Sequence, residues 1–157
     1  MSKIALVTAA SLALLCACNR HTFTMKDGSV TVTDKGKGDS TIHVTGKDGA
    51  SLDINSGKAI TDYPSDVPLY SGKSMMDMKN AEKNSRVVVI QTSDPLDKIS
   101  DFYKSGLESK GWKTETNMTT PQMTMWVATK DNRKLVIQVG ADESSKMQSI
   151  SQTLADK

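Results

Sequence analysis

Apolar residues alternate with polar ones along much of the chain, and the spacing changes character twice. Val30 and Val32, Ile42 and Val44, and Leu52 and Ile54 each stand two apart in Ser-, Thr- and Asp-rich surroundings. That is the period of a strand with one apolar face. Asp27-Gly28, Gly36, Gly38 and Asp48-Gly49 supply turns between the three units. The pattern predicts a meander of three short strands over residues 25–60, with too few apolar groups to bury much.

Tyr63-Pro64-Ser65-Asp66-Val67-Pro68 breaks the alternation. Two prolines force extended backbone and remove two donors, so 61–70 reads as a Pro-containing linker. Beyond it the pattern is denser. Val87-Val88-Val89-Ile90 is apolar on both faces and predicts a central strand. Leu96, Ile99, Tyr103 and Leu107 then fall at helical spacing, with Phe102 beside them. Asp94 is a candidate N-cap, Pro95 suits the first helical position, and Asp97 favours the positive end of the dipole. Gly111 fits the position after the last turn, with Trp112 placed to touch Leu107. The helix should occupy about 94–110.

Strands follow at about 112–118, 123–130 and 134–140, with Asp131-Asn132 as the turn between the last two. Met123, Met125 and Val127 read as the core side of one strand, and Leu135, Ile137 and Val139 as the core side of the next. Trp126 and Val136 then share the opposite face. The tail at 145–154 is poor in helix formers and reads as a strand. The order β-α-β-β-β predicts an α+β domain over 71–157, an antiparallel-rich sheet with one helix on one face.

The N-terminus follows a different rule. Lys3 supplies a positive charge, and Ile4 to Ala17 runs about 14 residues without another. A membrane-spanning helix needs roughly 20, so 1–17 reads as a signal peptide. It ends in Leu15-Cys16-Ala17-Cys18. This segment resembles a lipobox, the processing motif of bacterial lipoproteins. The resemblance implies a thioether-linked diacylglycerol on Cys18, cleavage before it and acylation of the new amino group. Residues 18–24 would then be a lipidated tether. Asn19 rather than Asp after the cysteine implies the outer membrane, periplasmic or surface face, if the cell is Gram-negative. The pattern from Pro64 to Gly140 is also similar to small bacterial lipoproteins with no known activity. Two or three acyl chains, at about 0.8 kcal/mol per buried methylene, give stable membrane anchoring.

Charge and candidate chemistry narrow the picture. The formal net charge is +2 over 157 residues, which argues against nucleic acid as a partner. Gly72-Lys73-Ser74 imitates the end of a phosphate-binding loop, but Val67 stands where its first glycine belongs. A solvated turn is expected there. Asp34 to Asp39 encloses Lys and Gly rather than oxygen ligands for calcium. His43 sits between Ile42 and Val44 and should face solvent, which leaves a nucleophile without an oriented base. No catalytic residue and no cofactor is assigned. Met75, Met76 and Met78 are candidate thioether ligands for Cu(I), although Met also fills irregular apolar space.

The reading is a non-enzymatic lipoprotein of the cell envelope. It is held by membrane lipid through acylated Cys18 and binds an envelope protein, with Trp126 and Val136 as candidates for the partner surface. A small-ligand or Cu(I) carrier is the alternative.

Overall fold

The computed structural model describes residues 19–47, 49–142 and 146–156. The signal segment 1–17 and Cys18 lie outside the described residues. Ten strands form one sheet: β1 (Asn19–Met25), β2 (Gly28–Asp34), β3 (Ser40–Gly46), β4 (Ser51–Ser56), β5 (Lys73–Asn80), β6 (Ser85–Thr92), β7 (Lys113–Thr119), β8 (Met123–Lys130), β9 (Arg133–Asp142) and β10 (Met147–Asp156). The single helix among the described residues, α1 (Leu96–Ser109), lies between β6 and β7 in the chain. The spatial order is β1-β2-β3-β4-β5-β6-β10-β9-β8-β7. All pairings are antiparallel.

The fold is therefore an antiparallel sheet with one helix, but the strand order differs from simple succession. The helix leaves β6, crosses one face and delivers the chain to β7 at the outer edge. The next three strands return inward until β10 meets β6. The tail is thus an inner strand of the sheet.

The helix packs Ile99, Tyr103 and Leu107 against Ile90, Ile137, Ile150 and Trp126, all nearly inaccessible. Its stop is a Schellman motif. Trp112 N–H donates to Leu107 C=O at 2.9 Å and Gly111 N–H to Glu108 C=O at 3.0 Å. Gly111 holds φ +74°, a conformation costly for any residue with a Cβ. The start differs from expectation. Pro95 is the N-cap and provides no side-chain bond. Asp94 lies one residue too early, and its carboxylate instead accepts from Tyr70 Oη at 2.6 Å and Lys98 Nζ at 2.9 Å.

Three further expectations are corrected. Residues 19–24, read as part of a tether, form strand β1 with unbroken pairing to β2. Residues 61–70, read as a linker, form a strap fixed to the core. Val67 and Tyr70 are buried, Trp112 Nε1 donates to Asp66 C=O at 2.6 Å, and Gln152 Nε2 donates to Pro68 C=O at 2.8 Å. The prolines remove donors, but the strap's carbonyls serve as acceptors for core side chains. Lys73 and Ser74, read as a turn, begin strand β5, which also carries Met75, Met76 and Met78.

Strands β1–β4 contain no fully buried residue. They widen the sheet edgewise through β4 on β5, where Ile54 stands opposite Met78. They do not fold back to cover the other strands.

Candidate functional site

The two faces of the sheet are chemically distinct, and the register defines them. On the face away from α1, one row crosses all ten strands: His21, Val32, Ile42, Ile54, Met78, Val87, Thr153, Val136, Val127, Thr116. Seven of these are aliphatic or Met. Nine inter-strand spacings of about 4.8 Å give the row a length of roughly 40 Å. Beside it lie Val30, Val44 and Leu52 in one direction and Met76 with Val89 in the other. These apolar residues are all partly exposed, and no described helix or strand packs over them. Like-facing β-branched side chains shield one another, which accounts for their intermediate exposure.

The partner-surface candidates separate. Val136 lies in this row. Trp126 does not: it stands opposite Ile137, is 3% exposed and packs 5.7 Å from the Tyr103 ring beneath the helix. The buried side of β8 is Thr124, Trp126 and Ala128, and the uncovered side is Met123, Met125 and Val127. The core side expected from the sequence was the wrong one. Met76 and Met78 are neighbours on the uncovered face, opposite Val89 and Val87, while Met75 sits where the β5 register shifts. That setting makes Met76 and Met78 part of an apolar surface. Among the described residues no group of His, Cys, Asp and Glu is arranged to hold a metal ion.

The helix-side face becomes polar where α1 and the strap end. Asp53, Lys79, Arg86 and Leu154 line up in register there as the floor of a cleft of about 430 Å³. Asp62 and Pro64 of the strap, Asp156 and Arg133 complete its walls. The cations are already compensated. Arg86 donates to both oxygens of Asp77 at 2.8 and 2.7 Å and to the Thr61 and Asp62 carbonyls at 2.8 and 3.1 Å. Burial pulls the Arg86 guanidinium towards the neutral form, but the Asp77 carboxylate more than offsets this and raises its pKa. Lys79 donates to Asp62 at 2.7 Å and holds that carboxyl below its ordinary range. Arg133 and Lys130 both bind Asp66, and hydrogen bonds from Arg133, then Lys130, lower it strongly. Burial raises the pKa of the Tyr63 hydroxyl, which has no hydrogen-bond partner among the described residues, and the Arg86 guanidinium lies over the Tyr63 ring, 5.0 Å from its centre.

Next to this cleft, His43 is better connected than the sequence suggested. Its Nδ1 is hydrogen-bonded to Asp53 Oδ1, and its Nε2 lies 2.9 Å from Thr45 Oγ1. The cross-strand register that pairs His43 with Asp53 is the signal that sequence reading missed. The connectivity imitates a hydroxyl-imidazole-carboxylate relay. It stands on an open strand surface, with the His43 side chain 44% exposed. Nothing there excludes water or presents paired donors to an oxyanion.

Residues 73–148 match a family model described as START domain-like. The START-like segment runs from β5 into the first residues of β10 and is just under half of the chain. It contains α1, Arg86, Asp77, Met75, Met76, Met78, Trp126 and Val136. It leaves out β1–β4, the strap and most of β10, so Asp53, Asp62, Pro64, Leu154 and Asp156 of the cleft lie beyond it. None of the curated proteins and none of the solved structures matches the chain.

Proposed function

We propose that this protein is a non-catalytic binding module of the cell envelope, anchored through lipid on Cys18, that holds a protein partner on the sheet face away from α1. The observation that carries the reading is the in-register apolar row from Val32 to Val127. An uncovered row of this kind favours a partner that offers an uncharged aliphatic surface. Within β2–β6 the charged residues on this face, Asp34 and Lys73, stand at strand ends, outside the block of Val30, Val32, Ile42, Val44, Leu52, Ile54, Met76, Met78, Val87 and Val89. Electrostatic steering is therefore a minor part of the recognition.

Replacing Ile54 and Val87 together by Glu changes this face and leaves the helix-side core untouched. Under mild extraction from the native envelope, the wild-type chain should run in a complex that contains a second, different protein, and the double variant should run without it. Wild-type chain recovered with no other protein argues against the reading. Anchoring has a separate test: Cys18→Ser should abolish acylation and release the chain from the membrane fraction.

The cleft supports a second reading, binding of a small polar ligand, for which a START-like segment gives some ground. Lys79, Arg86 and Arg133 beside Asp53, Asp62 and Asp156 would favour a zwitterionic molecule over a simple anion.

A further inference from the structure

The sheet has two free edges, and they are built differently. The β7 edge is interrupted: its register on β8 shifts between Thr114 and Thr116, and Lys113 and Glu115 stand along it. A bulge and charges are the ordinary means by which an edge resists further pairing. The β1 edge has no bulge, and Arg20 near its start is its one full charge. Its seven residues are paired to β2 without a shift, contain no proline and are all exposed. It also carries Phe23 and Met25, 60% and 57% exposed, the most exposed large apolar residues described. No described strand lies on its outer side.

We infer that β1 is a pairing edge for a second copy of this chain, joined antiparallel about a two-fold axis at Thr22. Antiparallel self-pairing centred on Thr22 is the register that engages all seven residues. It sets Asn19 opposite Met25 of the other copy, Arg20 opposite Thr24, His21 opposite Phe23, and Thr22 opposite itself. Arg20 is the strand's only fully charged residue and meets a threonine, so no like charges face each other. His21 and Phe23 lie on the apolar face and form a cross-strand pair on each side of the axis. The joined sheets continue the row of Val32, Ile42 and Ile54 in one copy into the row of Val30, Val44 and Leu52 in the other. A two-fold contact is self-complementary and closed, so it ends at a dimer.

The axis supplies the test. Thr22→Lys places two ammonium groups opposite each other, and Thr22→Asp places two carboxylates there. In the detergent-extracted full chain, sedimentation should give twice the chain mass for wild type and a single chain mass for either variant alone. A mixture of the two variants should return to twice the chain mass, because lysine then faces aspartate. Thr22→Val loses the 3.1 Å contact with the Thr31 hydroxyl without adding charge and should stay dimeric. Thr116→Lys on the opposite edge should also stay dimeric. Wild type at single-chain mass, dimeric charge variants, or a mixture that fails to reassociate would each overturn the inference.

Discussion

Trp126 and Ile137 stand opposite each other across β8 and β9 on the helix side of the sheet, while Val127 and Val136 pair on the other side. This register divides the domain into a packed half and an open half. It predicts very different costs for neighbouring residues. Trp126→Ala should cost about 3–5 kcal/mol, the range for a large buried aromatic. Val136→Ala should cost no more than about 1 kcal/mol. Urea unfolding of both variants checks this, and equal costs would contradict the assignment of faces.

The face of Trp126 was legible in principle. Asp131-Asn132 reads as a two-residue turn, and such a turn fixes Lys130 opposite Arg133 and hence Trp126 opposite Ile137. Alternation alone is ambiguous in β8, because Met123, Met125 and Val127 look as apolar as Trp126 and Ala128. A slip of one residue exchanges the faces. Strand β5 was hidden for another reason. Its register shift brings Ser74 and Asp77, three apart, to the buried side, so the period of two is broken. The strap was hidden because its burial depends on side chains far away in sequence, Gln152 and Trp112. The helix and its stop were plain, since spacing and Gly111 are local. The polar cleft was not, because Asp53, Lys79 and Arg86 meet only through strand pairing.

Arg86 and Asp77 form a buried pair, with side chains 10% and 7% exposed. Removing one partner strands the other charge. Arg86→Met should destabilise by about 3–5 kcal/mol. The double variant Arg86→Met with Asp77→Leu should recover much of that loss. A double-mutant cycle by urea unfolding reads the coupling, and strictly additive single effects would show that the two residues act independently.

Asp66 joins the strap to β8 and β9 through Lys130 and Arg133. Those hydrogen bonds lower its folded-state pKa, Arg133 contributing most. Its contribution is therefore complete above about pH 4, the unfolded value, and falls away as pH drops towards the lowered folded value. The carboxylate is about a third exposed, so screening limits the contribution to about 1 kcal/mol. Asp66→Asn should be less stable than wild type by that amount at neutral pH and converge with it in acid. A gap unchanged down to about pH 2 would refute the ionic origin.

Gly111 ends the helix at φ +74°, and Trp112 closes the motif. Gly111→Ala should cost about 1 kcal/mol through left-handed strain alone, since no neighbouring atom lies near its Cβ position. Thermal unfolding should show a lowered midpoint with unchanged native spectra. A midpoint equal to wild type would contradict the αL stop.

The uncovered face is the centre of the account, and site-specific photo-crosslinking tests it most directly. A photoreactive side chain at position 87 lies in the middle of the apolar row, and one at Lys104 lies on the exposed surface of the helix. In intact cells, position 87 should give a discrete protein adduct that disappears with Ile54→Glu, and position 104 should give none. No protein adduct at position 87, or the same adducts at both positions, would contradict a partner on this face.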